Sequence, residues 1–583
     1  MSTTDIRPAE PRRRGIDWRS GRVLAALAGI AAAAIGVGVA ELVAAFVGPS
    51  SSPLTAVAGA VVDLVPHSLE QFGVQTFGSW DKPLLTLVII VVLAGVAALA
   101  GILAQRRIGF GLGVIAAFAA VGCLAAIGRP DSTSYAVIPT LVGAGAAMLA
   151  LSPLVQRAIE AGSQRTAEPA DVGGAAGSAP GADSESRAAW VGGAAGSAPG
   201  ADSESRAAWV GGAAGSAPDV PWLGGGTASR RTFFVLAGGT AGAAVVAGGA
   251  GRLLARWRGV SDQRAAIRLP KPASPAPPVP PGTKLDVPGI SPWTTSSKNF
   301  YRVDTAFVLP QVNPETYRLR IHGRVKRELT LTYDDLLGLP LVERDITLAC
   351  VSNEVGGDLT GNARWLGVRL KDLLDRVEPE AGADQLVGRS ADGWTCGTPT
   401  AACRDGRDAL LAVGMNGEPL PIAHGFPVRM VVPGLYGYVS ATKWLVDLEL
   451  SRFSDFDAYW VPRGWSQQAP IKTSSRIDTP RDSAKVDGTV TVAGVAWAQH
   501  RGVTKVEVRV DSGPWQAATL ATADSVDTWR QWRWEWDTKT AGEGEHSLEV
   551  RATDATGTPQ SAAIRPPAPD GSEGYHRISV DVR

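Results

Sequence analysis

Residues 345–370 read DITLACVSNEVGGDLTGNARWLGVRL, and no other stretch constrains the fold as tightly. Asp345, Ile346, Thr347 and Leu348 predict a short buried strand, which delivers Cys350 to its end. The paired glycines Gly356-Gly357, and then Gly361-Asn362, predict a loop beyond it. Only 4 cysteines occur in 583 residues. A thiol at a strand end, facing a glycine-permissive loop, suits a soft metal or a large ligand. Taken alone it suits a small buried hydrophobe equally well.

The flanking sequence narrows the choice. Upstream, TYRLRIHG alternates as a half-buried strand should, and LTYDDLLGLP predicts a short helix with Thr332 as its N-cap. Downstream, Leu370–Val377 predicts an amphipathic helix. Strand-like runs of Val, Met and Leu then alternate with Gly/Pro turns through MNGEPLP, HGFPVRMVVPG and KWL. TLACVSNEVGG and ARWLGVRLKDLL, followed in order by those three phrases, resemble the molybdenum-binding core of the sulfite-oxidase-like molybdopterin oxidoreductases. The resemblance covers residues 291–583 and implies an α+β molybdopterin domain over 291–465. It implies that Cys350 gives its thiolate to molybdenum in a molybdenum–molybdopterin cofactor. It also implies that His424, Arg429 and Lys443, with Asn353 and Arg364, bind the cofactor, whose buried phosphate must be paired. Arg302, which alone reads as surface charge, is placed by the resemblance near the metal, where a guanidinium would attract an anionic oxygen.

Two departures bear on the substrate. Sulfite oxidases carry an arginine five residues after the metal cysteine, where this chain has Val355. They carry a tyrosine beside the metal, for which Trp394 is the expected counterpart and the third catalytic candidate with Cys350 and Arg302. The cofactor is thus better supported than sulfite. The implied reaction is a two-electron oxygen-atom transfer or reduction of a small substrate. The alternative is a membrane-tethered, non-enzymatic scaffold with a decayed metal pocket. Cys396 and Cys403 are close enough to pair, or are buried thiols near the pocket.

From residue 466 the pattern is regular β, in short strands such as TVTVAGVAW and WRQWRWEW, and suits an immunoglobulin-like sandwich. Trp532, Trp534 and Trp536 share one face and predict a packed layer. This segment resembles the family's dimerisation domain and implies a homodimer.

Towards the N-terminus the character changes. Apolar runs at 23–47, 84–104, 108–127 and 135–155 are each long enough to cross about 30 Å of hydrocarbon, giving a four-span helical membrane domain over 1–160. Residues 54–65 are too short and read as interfacial or re-entrant. Glu41 reads as reaching the interface, and an ion or proton site is the other reading. Arg106-Arg107 and Arg157 place their loops in the cytoplasm. A Gly/Ala/Ser-rich repeat of 19 residues fills 161–228 and reads as a flexible linker. Residues 229–251, SRRTFFVLAGGTAGAAVVAGGAG, read as a fifth span or as a twin-arginine-like export signal. A Pro-rich stretch over 252–290 reads as a stiff spacer lifting the next domain from the bilayer. The whole predicts a multi-pass protein of the cytoplasmic membrane with its catalytic domain outside. With 56 basic and 56 acidic residues the chain has no net basic field, which argues against nucleic-acid binding. No haem, flavin or iron–sulfur pattern is visible, so a separate cytochrome or quinone-linked membrane protein is expected as electron partner.

Overall fold

The structure, a computed structural model, describes residues 18–48, 51–65, 81–129, 132–163, 230–257 and 259–583. The 19-residue repeat and His67 lie outside the described residues. Among the described residues, five helices are long and apolar enough to cross a bilayer: Gly21–Val47, Pro83–Arg106, Ile108–Ile127, Ile138–Ala161 and Arg231–Leu254. They match the four expected runs and the fifth. Small residues let two of them touch backbone to backbone: a Cβ on Gly29 would overlap the Ala97 carbonyl, and one on Gly101 that of Ala25. The short apolar run forms the helix Pro53–Leu64, N-capped by Ser52, whose oxygen accepts from Thr55 N at 3.3 Å. The Ser52 hydroxyl in turn donates to Glu41, so this carboxylate is engaged within the chain instead of only reaching the interface.

In chain order the strands that follow are β1 (Arg318–Gly323), β2 (Leu329–Thr332), β3 (Val342–Ala349), β4 (Thr360–Arg369), β5 (Gln385–Ser390), β6 (Thr395–Pro399), β7 (Leu410–Met415), β8 (Glu418–Pro419), β9 (Arg429–Val431) and β10 (Leu445–Ser451). One sheet has the order β2-β1-β10-β5-β6, with β1 parallel to β10. The other runs β3-β4-β7-β8, with β9 also on β7. The Thr332 side chain and Asp335 close a reciprocal capping box on the helix Tyr333–Leu337. The helix Leu370–Val377 buries Leu370, Leu373, Leu374 and Val377, the 3–4 spacing its sequence dictates.

Two expectations change, and of the two readings of Cys396 and Cys403 the structure has the second. Gly361 and Asn362 are not loop: they lie in β4, opposite Leu348 and Thr347. Asn362 is tolerated in a buried strand because its amide is satisfied, accepting from Thr347 Oγ1 and donating to Trp293 O, both at 3.0 Å. The Pro-rich stretch is laid along the globular part instead of standing off from it. Arg264 donates to the Leu420 and Pro419 carbonyls, Ser274 bridges Val342, and Leu285 N donates to Gln531. Cys396 and Cys403 are separate, buried, free thiols.

The C-terminal strands are β11 (Ser474–Thr479), β12 (Ala484–Val486), β13 (Thr489–Trp497), β14 (Val503–Val510), β15 (Gln516–Ala517), β16 (Thr519–Leu520), β17 (Arg530–Asp537), β18 (Gly544–Asp554) and β19 (His576–Val582). They form two sheets, β11-β13-β17-β16 and β12-β19-β18-β14-β15. Alternate residues of both meet in one core, where Trp532 and Trp536 are buried and Trp534 packs alongside. This immunoglobulin-like domain covers the free edge of β3. Thr347 N donates to Asp527 O at 2.9 Å, Gln499 Nε2 donates to Thr347 O at 3.2 Å, and Trp529 N donates to Thr347 Oγ1 at 2.8 Å. An edge strand otherwise presents unpaired backbone groups, and here those of Thr347 are satisfied.

Candidate active site

Cys350 follows β3 directly and is 8% exposed. Its amide donates to Leu359 O at 2.9 Å, which closes the intervening residues into a compact loop. Within it the Asn353 carboxamide oxygen accepts from Leu359 N at 2.8 Å. Burial pushes the Cys350 thiol up, while the Ser352 amide and hydroxyl, Lys443 and the Val351 amide pull it back. Donors to the sulfur favour its thiolate form. Among the described residues no group of three His, Cys, Asp or Glu side chains could hold a metal ion. A metal at Cys350 would therefore take this sulfur as a single protein ligand and draw its other ligands from a cofactor.

The cations stand close by. The single 3-10 turn at Ile422–His424 and the left-handed Gly425 (φ 109°) bring His424 and Arg429 together, and Arg429 Nη1 donates to His424 O at 3.1 Å. A side chain on Gly425 would meet Arg429 and Lys443, both about 3 Å from its Cβ position. His424 Nε2 donates to Ser297 O at 2.9 Å, so the imidazole carries its proton there. Burial and then Arg429 hold its pKa down at about 4. Arg429 lies 5.0 Å above the Trp365 ring and is lowered to about 10 by burial. Lys443 is lowered to about 8, again by burial, against the pull of Asp304. Asp304, a residue the sequence did not single out, takes both Lys443 Nζ and Arg302 Nε at 2.7 Å.

The structure thus joins Cys350, Arg302, His424, Arg429 and Lys443 electrostatically. Arg364 lies in a different group: it grips Asp345 through two bonds of 3.1 and 2.6 Å, with Glu343 at 3.8 Å. Trp394 sits at the turn of the β5–β6 hairpin, packed against the larger core. Two phenols, Tyr301 and Tyr436, lie near enough to Cys350 to feel its charge. Tyr301 adjoins Arg302 in the sequence, and Tyr436 follows the HGFPVRMVVPG phrase, which is the signal that points to both.

The residues fit an anionic cofactor on one observation. Arg429 Nε is fully buried and has no hydrogen-bond partner, although a buried guanidinium ordinarily satisfies every N–H. With Lys443 beside it, the cluster presents donors that Asp304 alone does not use up.

A profile of the oxidoreductase molybdopterin binding domain matches residues 306–460, and one of a bacterial Ig domain matches residues 474–550. Mitochondrial sulfite oxidase of Homo sapiens is 32% identical over 327 residues, covering 47% of this chain and 59% of that protein. The uncharacterized oxidoreductase YuiH of Bacillus subtilis is 30% identical over 149 residues, covering 26% of this chain and 72% of that protein. Among solved structures, the sulfane dehydrogenase SoxCD of Paracoccus pantotrophus aligns with a TM-score of 0.43 and 23% identity, over 49% of this chain and 81% of that one. A molybdopterin-binding oxidoreductase domain is the class that this fold and this site define. The chain belongs to the sulfite-oxidase-like molybdopterin oxidoreductase family, with a bacterial Ig-like domain after the cofactor domain and an apolar helical region before it. It spans 59% of the length of the human sulfite oxidase it matches.

Proposed function

We propose that this chain is a membrane-anchored molybdenum oxidoreductase whose catalytic domain faces the outside of the cytoplasmic membrane. The carrying observation is the buried, unpartnered Arg429 Nε in a cluster of cations beside a buried thiol. In this reading Cys350 ligates molybdenum, and His424, Arg429 and Lys443 hold the pterin phosphate. Asn353 shapes the metal loop through its bond to Leu359. When bound, the cofactor supplies a two-electron oxygen-atom transfer or reduction.

The chain's own residues shape the substrate pocket. Val355 stands where sulfite oxidases place a cation, and its Cγ2 lies 3.5 Å from the Cβ position of Gly574. Arg302 is engaged by Asp304 through two bonds, which offsets its charge. A small substrate with little negative charge suits this arrangement better than sulfite. Tyr301 and Tyr436 keep their protons, because burial, and for Tyr301 next the nearby Cys350 sulfur, raise their pKa values. They are therefore hydrogen-bond donors at neutral pH.

Electrons pass to or from a separate cytochrome or quinone-linked membrane protein, and the C-terminal domain pairs two copies of the chain. The twin arginines Arg230-Arg231 export the catalytic half already folded. The test is the molybdenum and pterin content of the detergent-purified protein beside Cys350→Ser. Near-stoichiometric metal, lost or altered in the variant, supports the reading. A parent empty of both, from a host that makes and inserts the cofactor, moves the assignment to a tethered scaffold.

A further inference from the structure

The C-terminal domain reaches past β3 to the loop that follows Cys350. Ser572 Oγ donates to Asn353 O at 2.7 Å, and Arg476 Nη1 donates to Gly357 O at 2.6 Å. Between those two carbonyls a Cβ on Gly356 (φ 80°) would overlap the His576 imidazole. That ring is itself fixed, since its Nδ1 accepts from Ile477 N at 2.9 Å. Gly574, beside Val355, has its carbonyl held by Gln560 Nε2 at 2.6 Å. Gly571 (φ 105°) lies so close to Tyr436 that a Cβ would stand 2.5 Å from the phenol oxygen.

We infer that Ser572 and Arg476 are positioning residues of the Cys350 site, holding the 351–359 loop through the carbonyls of Asn353 and Gly357. A backbone carbonyl held from outside fixes the peptide plane it belongs to. The planes so fixed are 353–354 and 357–358, and Asn353, whose own amide donates to Cys350 O at 3.2 Å, carries the restraint back to the cysteine and keeps the loop closed over it. The immunoglobulin-like domain is then a wall of the site as well as a separate fold. Arg476 is suited to the task because its remaining nitrogens are committed, Nε to Asp478 at 2.6 Å and Nη2 to Ser291 Oγ at 2.8 Å. Only the outcome for the metal rests on the proposed ligand role of Cys350; the loop geometry stands without it.

The experiment uses the full chain in detergent, purified from a host unable to make the pterin, so that its result is independent of the cofactor. Alkylation of each cysteine by iodoacetamide at one fixed pH is followed by peptide mass spectrometry in the parent, Ser572→Ala and Ser572→Thr. Cys396 and Cys403, both buried, report general loosening within the same molecule. The expected result is Cys350 labelling about tenfold faster in Ser572→Ala, the factor a lost hydrogen bond supplies. Cys396 and Cys403 are unchanged, and Ser572→Thr returns to the parental rate. Hydrogen exchange of the 351–359 amides rises in the same variant. An unchanged Cys350 rate, or a rise shared by all three thiols, overturns the inference.

Discussion

Lys443 and Asp304 lie 139 residues apart in the sequence and meet inside the protein, Nζ to Oδ2 at 2.7 Å. The pair does not restore the amine to its ordinary range: burial outweighs the carboxylate and leaves Lys443 at about 8. An unfolded lysine titrates near roughly 10.4. Between those values the unfolded chain binds more protons than the folded one, so stability rises with pH across the window and is flat below it. Cofactor-free protein is expected to gain about 3 kcal/mol between pH 8 and 10.4 from this group. Lys443→Met abolishes that component. Urea midpoints at both ends of the window measure it, and an equal rise in the variant refutes the assignment.

His424 and His576 are both held at about 4, first by burial and then by a neighbouring arginine, Arg429 and Arg476 respectively. An unfolded histidine titrates near roughly 6.5, so each group's stabilising contribution is present above that pH and is lost as pH falls towards 4, about 3 kcal/mol apiece. An anionic cofactor phosphate beside His424 would offset its share, whereas at His576 Asp478 and Asp482 already act and still leave it at about 4. Loaded protein is therefore expected to be less acid-sensitive than empty protein, and His576→Asn less acid-sensitive in both forms. Melting temperatures from pH 7 to 4 decide it.

Arg429 carries a buried charge with an orphaned Nε. Removing the charge from the empty protein removes its desolvation cost. Arg429→Met is expected to leave empty protein as stable as the parent, or more stable by on the order of 1 kcal/mol. The same variant purified from a cofactor-competent host loses most of its pterin. Loss of stability in the empty form together with full pterin content contradicts the role given to Arg429.

Gly356 combines a positive φ with the His576 ring at its Cβ position. Gly356→Ala is expected to cost about 2–3 kcal/mol, about 1 from the backbone and the rest from the clash. In the Gly356→Ala/His576→Ala double variant only the backbone part persists, giving an interaction energy of about 1–2 kcal/mol in a double-mutant cycle. Additive effects would show that the two residues do not meet.

Local signals in the sequence were sufficient for the strand before Cys350, the capped helix after Thr332 and the tryptophan layer, because in each the residues that decide the element are neighbours along the chain. Asn362 misled because its buried amide is satisfied by Thr347 and Trp293, partners that a local reading of glycine and asparagine cannot supply. Asp304 was missed for the same reason: beside its neighbour Arg302, it takes a second cation, Lys443, from 139 residues away. The Pro-rich stretch showed an extended conformation correctly and its destination not at all. Composition sets stiffness, but here the docking points are carbonyls of Leu420, Pro419 and Leu341. Trp394 was chosen by a position in an expected pattern, and the phenols near the thiol come from Tyr301 and Tyr436.

Under the proposed function, that docked stretch also sets how the protein would meet a redox partner. The fifth long helix ends at Trp257, and by Val260 the chain is bonded to Gln311 of the globular domain. Three peptide steps reach at most about 11 Å. With that helix in a bilayer, as proposed above, a domain on so short a leash would not sweep out a volume of solvent, and its encounters would occur in the plane of the bilayer. A carrier confined to that plane meets it at high effective concentration, whereas a freely diffusing carrier gains nothing from the tether. Lengthening the chain between Trp257 and Val260 with a Gly/Ser insert would then slow exchange with a membrane-bound partner and leave exchange with a soluble one untouched.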